Sequence, residues 1–256
     1  MFALETFRPA RPSWLVRAPF AHRGLHGPTT GPENSLAAIS AAVAAGYGIE
    51  CDVRLLADGE VVVFHDQDLA RLTGRPGRIA TQTRRDLVSL RLCGTDERPP
   101  CLDEVLDCVR GRVPLYIELK NEGAPGPLER RVLERLAAYA GPFCLASFNP
   151  HALAFMASQA PTLIRCLIAC ASKDDPGLGP CRRFFSRNLL SLPLAKPHCI
   201  AYNWRDLPQA SVGLLRRLGV PVLLWTVQAR EDMEKALRHG DNIVFEGFLP
   251  SFPGNT

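Results

Sequence analysis

Four short stretches of this chain carry residues suited to cutting a phosphodiester with the help of a metal ion. They are Ala21-His22-Arg23-Gly24, Ile49-Glu50-Cys51-Asp52-Val53, Phe64-His65-Asp66 and Ile117-Glu118-Leu119-Lys120. Glu50, Asp52 and Glu118 offer three carboxylates, the donor set of a hard, oxygen-preferring cation such as Mg2+ or Ca2+. His22 and His65 are candidates for proton transfer, because neutral and protonated imidazole coexist near pH ~6.5. Arg23 brings a planar fork for phosphate oxygens and Lys120 a compact positive charge.

Each stretch sits at or just after a short apolar run of strand type. Side chains alternate along a strand, so Glu50 and Asp52 point to one side, as do Glu118 and Lys120. Carboxylates inside apolar strands are costly to bury unpaired. They need either a metal ion or strand-end arginines, and both readings stand on sequence alone. Of the 30 basic residues only four are lysines, so Lys120 on an apolar strand stands out from a chain that otherwise uses Arg. Cys51 alternates away from its acidic neighbours and is not a proposed ligand. His26, His151, His198 and His239 fall in loops or at helix ends and carry no assigned role.

The elements that must position these groups follow from the pattern of the chain. Strand-like runs at Pro19–His22, Gly48–Val53, Val61–Phe64, Pro114–Leu119, Phe143–Ser147, Leu163–Ile168, Cys199–Tyr202, Val220–Thr226 and Asn242–Phe245 alternate with helical segments. The helical segments are Ser35–Ala45, Leu102–Val109, Leu128–Ala140, His151–Gln159, Ala210–Leu218 and Glu231–His239. Strand and helix alternation of this kind builds a parallel sheet from βαβ units. Asp58-Gly59 is a hairpin signal, so Val61–Phe64 is expected to run back antiparallel along the second strand. Removing it leaves eight parallel strands, the number of a (β/α)8 TIM barrel, whose chemistry sits at the C-terminal rim. With Asp58 and Gly59 as a two-residue turn, counting outward sets Val53 opposite Phe64 and Asp52 opposite His65. That register would deliver His65 to the carboxylates, and a one-residue slip would spoil it.

With 256 residues and 46% hydrophobic content, a single domain over 1–256 is expected. Its net charge is +4, with basic residues scattered among acids, so no nucleic-acid footprint is expected. The nine cysteines include no CxxC pair and read as buried thiols of a reducing compartment. No signal peptide is visible and no apolar run reaches ~18 residues, so a cytoplasmic protein without a transmembrane segment is expected. Two irregular stretches interrupt the pattern. One is an insertion at about 67–100. The other is Ser172–Pro197, which mixes Arg182, Arg183 and Arg187 with Phe184, Phe185, Leu189 and Leu190. For the second, a surface loop whose Phe pair packs into the barrel's outer layer is expected. A lid for lipid-like substrates, or a peripheral membrane contact, is the alternative.

These motifs resemble the bacterial glycerophosphodiester phosphodiesterase family. The matching features are AHRG at 21–24, PENS at 32–35, IECDV at 49–53, DGEVVVFHD at 58–66, LDEVL at 102–106, YIELK at 116–120, SF at 147–148 and WTV at 225–227. The resemblance implies a (β/α)8 barrel and one divalent cation, Mg2+ or Ca2+, held by Glu50, Asp52 and Glu118. It implies His22 and His65 as general acid and base, and Arg23 and Lys120 as phosphate ligands. Glu33 would lie near the metal or substrate, and Trp225 would line the pocket. The expected reaction releases sn-glycerol 3-phosphate and an alcohol from a small-molecule glycerophosphodiester. The alternatives are lysophospholipid or phosphoinositide head groups, or a non-catalytic barrel that binds a phospho-polyol. Near the C-terminus the chain reads Asp241-Asn242-Ile243-Val244-Phe245-Glu246-Gly247. That departs from the family's pattern and leaves the last acidic residue without an implied role.

Overall fold

The structure, a computed structural model, describes residues 12–121, 124–171 and 179–252. Its strands are β1 (Phe20–Ala21), β2 (Gly48–Leu55), β3 (Val61–Val63), β4 (Leu115–Leu119), β5 (Phe143–Ser147), β6 (Arg165–Ala169), β7 (Cys199–Asn203), β8 (Val222–Val227) and β9 (Asn242–Phe245). They are ordered β1-β9-β8-β7-β6-β5-β4-β2-β3, and β1 also pairs with β2. Eight strands therefore close into a parallel barrel, and β3 lies outside the ring, antiparallel to β2. The helices are α1 (Leu36–Ala44), α2 (Ala70–Thr73), α3 (Arg84–Leu87), α4 (Leu102–Val109), α5 (Pro127–Leu136), α6 (Pro150–Gln159), α7 (Pro180–Arg187), α8 (Leu192–Ala195), α9 (Ala210–Arg217) and α10 (Arg230–Leu237). The chain divides into two compact units. One comprises Phe20–Leu145 with Ser251–Thr256, the other Met1–Pro19 with Ala146–Pro250.

In the first unit, seven of the eight residues of β2 are buried, as a strand covered on both faces requires. β2 and β4 pair in parallel with Asp52 opposite Glu118, which puts two acidic side chains side by side on neighbouring strands. The loop from β1 to α1 is compact. Gly24 adopts φ +80°, and a Cβ there would lie 2.9 Å from the Ala38 carbonyl carbon. Only glycine allows α1 to pack this close to the end of β1. Ser35 caps α1 by accepting a hydrogen bond from the Ala38 amide at 3.1 Å.

The hairpin register differs from the expected one by one residue. Val53 pairs with Val63, Arg54 with Val62 and Leu55 with Val61. The turn therefore has three residues, Ala57 to Gly59, closed by the Leu56 amide donating to the Glu60 carbonyl at 2.9 Å. Gly59 takes the left-handed conformation at φ +82° that such a three-residue turn demands. Asp58 is held by the amides of Glu60 and Arg84, at 3.2 and 2.8 Å. Phe64, not His65, stands opposite Asp52, and the Phe64 amide donates to the Asp52 carbonyl at 2.9 Å.

The insertion at 67–100 is short of regular structure but fully packed. Leu69, Leu72, Ile79, Leu87, Leu90 and Leu92 form a core with Leu56, Val62 and Phe64 of the hairpin and with Cys101. Its stability comes from this apolar cluster, which small-period sequence patterns do not announce.

In the second unit, β6, β7, β8 and β9 pair in parallel. Asn242 donates to the carbonyls of Leu15 and Ala18, both at 2.8 Å, and so ties the N-terminal segment to β9. Ser172–Pro197 departs from the loop expectation. Its first part, 172–178, lies outside the described residues, and the rest forms α7 and α8. Ser186 Oγ donates to the Cys170 carbonyl at 2.9 Å, and Tyr202 donates to the Arg187 carbonyl at 3.1 Å. With α7 held on that side, Phe184 and Phe185 face solvent, 59% and 54% exposed, and Leu189 is the buried anchor. The Phe pair does not pack into the outer layer.

The packing of the insertion gives a direct test. Leu87→Ala should destabilise the protein by about 2–5 kcal/mol, as for other fully buried leucines, measured by urea unfolding. A change below about 0.5 kcal/mol, typical of a surface site, would mean that the cluster is not a core.

Candidate active site

The site is built on β2, the C-terminal half of β4 and the segments that follow β1 and β3. Glu50 and Asp52 project from β2 and Glu118 from β4. The three are buried, and their ligand oxygens lie within 4.8 Å of one another. Burial first, then the charges of Asp52 and Glu118, push the Glu50 carboxyl well above the usual carboxylate range. Burial is also the main cause that raises Glu118, to about 7, against the pull of Lys120. Asp52 goes the other way. Burial would raise it, but Lys120 and Arg23 outweigh that and hold it well below the usual range. The cluster therefore has more negative charge than its two cations neutralise, and it retains protons to offset the excess. Three carboxyl groups that crowd one another in this way fit a divalent oxygen-preferring cation.

Both expected phosphate ligands lie against this cluster. Lys120 Nζ is 2.5 Å from Glu118 Oε1 and 3.2 Å from Asp52 Oδ1. The Arg23 amide donates to Glu50 Oε2 at 2.8 Å, and its Nη1 donates to Glu33 Oε1 at 2.6 Å. Arg23 Nε is 3.3 Å from Asp52 Oδ2 without the alignment of a hydrogen bond. Arg23 itself sits at φ +54°, an uncommon left-handed backbone for a non-glycine residue. The strands thus set salt bridges with Lys120 and Arg23 beside the acidic cluster.

His22 Nε2 lies 3.9 Å from Glu50 Oε2. His65 reaches the cluster despite the shifted register, because β3 ends at Val63 and the chain then leaves the ladder. Arg54 Nε donates to the His65 carbonyl at 2.8 Å. Burial lowers the His65 imidazole from its ordinary value, and the charge of Asp52 acts in the opposite direction. Its Nδ1 is 2.7 Å from Asp66 Oδ1.

Sequence reasoning missed three residues here. Asn34 is 1% exposed, at φ +58°. Its Nδ2 donates to Asp52 Oδ2 at 2.9 Å, and its Oδ1 accepts from the Asp52 amide at 3.4 Å. In PENS, then, Glu33 holds Arg23, Asn34 holds Asp52 and Ser35 caps α1. Asp66 and Arg71 are the others. Arg71 grips Asp66 and Glu33 together. The adjacency of His65 and Asp66 was a visible signal, but the reach of Arg71 from the insertion was not. Trp225 stands on β8 in the second unit, where its ring packs edge-on against Phe148 at 5.6 Å between centroids.

Residues 22–246 match the family described as glycerophosphoryl diester phosphodiesterase. A glycerophosphodiester phosphodiesterase of Caldanaerobacter subterraneus subsp. tengcongensis is 30% identical over 239 residues, covering 88% of this chain and 91% of that protein. The structure of a glycerophosphodiester phosphodiesterase from Thermotoga maritima aligns with TM-score 0.70 and 26% identity, covering 89% of this chain and 94% of that one. A phosphodiesterase from Oleispira antarctica, solved in complex with the product sn-glycerol-3-phosphate, shares the fold with TM-score 0.75 at 24% identity, covering 91% and 93%.

The raised carboxyls make cation binding readable through stability. A carboxyl whose folded pKa lies above its unfolded value contributes stability at low pH that is lost as pH rises, for Glu118 between about 4.5 and about 7. Depressed imidazoles such as His65 contribute with the opposite sign in the same range, so the informative quantity is a difference. The gain in Tm on adding Mg2+ or Ca2+, relative to EDTA, should grow from pH 5 to pH 7, because the cation must displace the protons of Glu50 and Glu118. Glu118→Gln should flatten that growth. A cation increment that is absent or independent of pH would rule out the cluster as the ion's site.

Proposed function

The chain belongs to the glycerophosphoryl diester phosphodiesterase family, and from that premise we propose that its acidic cluster holds one divalent cation while His22 and His65 move the protons of diester hydrolysis. As a glycerophosphodiester phosphodiesterase it acts on a small-molecule glycerophosphodiester, and the proposed products are sn-glycerol 3-phosphate and an alcohol. The observation that carries the mechanism is the convergence of three buried carboxylates with two imidazoles, a lysine and an arginine.

Glu50, Asp52 and Glu118 would hold the cation, Mg2+ or Ca2+. When bound, it supplies positive charge toward the phosphoryl oxygens. Arg23 and Lys120, held in place by Glu33, Asp52 and Glu118, bind those oxygens and stabilise charge that grows in the transition state. His65 turns Nδ1 toward Asp66, which leaves Nε2 free to exchange a proton. One imidazole removes the proton of the attacking hydroxyl, and the other gives a proton to the leaving alkoxide. Nine free thiols support a reducing, cytoplasmic setting for this enzyme. Among the described residues no helix is long and apolar enough to cross a membrane.

The deciding experiment is hydrolysis of glycerophosphocholine. EDTA should abolish it, and Mg2+ or Ca2+ should restore it. His22→Ala and His65→Ala should each cost ~10²-fold or more in kcat with the fold intact, whereas His151→Ala should change little. Full activity in EDTA, or near wild-type kcat for both imidazole variants, would remove this mechanism.

The exposed Phe pair favours a second reading of substrate preference. From Gly179 to Arg205 the chain has five basic residues and no acidic one, and Phe184 and Phe185 stand out from this basic surface. Exposed aromatics among cations suit the surface of a lipid aggregate. On this reading lysophospholipids are preferred substrates. Replacing both Phe184 and Phe185 by Ser should lower kcat/KM for lysophosphatidylcholine more than for glycerophosphocholine. An unchanged ratio leaves a general glycerophosphodiesterase.

A further inference from the structure

Arg71 is half exposed, yet four of its five N–H donors are used by two carboxylates. Nε and Nη2 donate to Asp66 Oδ2 and Oδ1 at 2.6 and 3.0 Å. Nη1 and Nη2 donate to Glu33 Oε2 and Oε1 at 2.7 Å each. Each partner leads straight to the site. Asp66 Oδ1 holds His65 Nδ1, and Glu33 Oε1, shared with Arg71, also holds Arg23 Nη1. One guanidinium therefore joins a proposed proton-transfer group to a proposed phosphate ligand from segments far apart in sequence.

We propose that Arg71 is a positioning residue that fixes the orientation of His65 through Asp66 and of Arg23 through Glu33. The inference rests on the roles given above to His65 and Arg23. The backbone that carries Arg71 is rigid. Leu69 and Leu72 on either side are 2% and 4% exposed in the insertion core, and Gly74 ends α2 in the left-handed conformation. The Arg71 side chain is half exposed, so its orientation is set by the two carboxylates it grips. Surface ion pairs add little to stability; the value of this one lies in geometry. An ionised Asp66 must accept a hydrogen bond from His65, which places the proton on Nδ1 and leaves the lone pair on Nε2. Asp66 is held to about 2, because hydrogen bonds from Arg71, then His65, outweigh its modest burial. Lysine cannot replace Arg71, since a single ammonium cannot donate in parallel pairs to two carboxylates. The packed insertion thus acts as a brace for the site.

The test combines a kinetic readout with a spectroscopic one in the Mg2+-loaded enzyme. Arg71→Ala should lower kcat for glycerophosphocholine ~10- to 10²-fold, the scale of a misplaced catalytic group, and leave KM within about threefold. Millimolar guanidinium should restore part of that loss. Arg71→Lys should show the same loss and keep the wild-type Tm. In 15N spectra of labelled histidine, His65 should be the Nδ1–H tautomer in the wild type and a mixture of tautomers in Arg71→Ala. An unchanged His65 tautomer in the variant would overturn the proposal. So would a rise in KM at constant kcat, which would make Arg71 a substrate ligand. The spectroscopic result stands apart from the catalytic reading: if His65→Ala retains activity while Arg71 still sets the tautomer, the role of His65 fails and the clamp remains.

Discussion

Everything about the site depends on keeping three carboxylates buried on two adjacent strands. Asp52 and Glu118 are direct neighbours across the β2–β4 ladder, and Glu50 lies two residues back on the same face. In a low-dielectric environment such a group cannot stay fully ionised without compensation. Lys120 and Arg23 supply part of it, and protons on Glu50 and Glu118 supply the rest. The local structure follows from this need. The tight turn at Gly24 sends the Arg23 amide into Glu50, and Asn34 takes up a strained backbone to hydrogen-bond Asp52 from both ends of its amide.

Around that centre the chain builds a brace from parts that look unimportant in isolation. The hairpin ends early, so His65 leaves the strand and is steadied by its backbone bond to Arg54. The insertion packs on the hairpin through Phe64 and its leucines and sends Arg71 back to Asp66 and Glu33. The apolar cluster fixes where the Arg71 backbone sits, and the paired hydrogen bonds to Asp66 and Glu33 fix its guanidinium.

Other buried polar groups show how a purely structural arrangement differs. Arg165 is 5% exposed and donates to the carbonyls of Ala160, Pro161, Leu163 and Lys196. His198 accepts from the Arg165 amide, and burial lowers it to about 4. The hydrogen bonds of these groups go to backbone, although Arg165 Nε has no partner and the Arg165 charge adds to the lowering of His198. Glu50, Asp52 and Glu118 instead crowd three acidic groups against two cations, Lys120 and Arg23, which leaves an excess of acid. That excess is the physical mark of a site that binds something.

While α2, α3, α7 and α8 fell in stretches read as irregular, the sequence by itself determined the strand order, six of the helices, the closed barrel and the carboxylates that share a face. Those depend on local periodicity, alternation along β2 and β4, and glycine and hairpin signals, all of which act over a few residues. The family motifs also pointed to Glu33 and to both histidines. Tertiary structure decided the rest. The turn at Asp58-Gly59 has three residues and not two, because the choice is fixed by contacts of Asp58 with Arg84 that no local pattern encodes. The expected route for His65, opposite Asp52, failed for that reason, yet His65 still comes under the charge of Asp52. Likewise the exposure of Phe184 and Phe185 depends on which side of α7 the barrel holds, and the role of Arg71 depends on the folded insertion placing it between Asp66 and Glu33. Long-range packing sets these distances, and residue type and spacing carry no record of it.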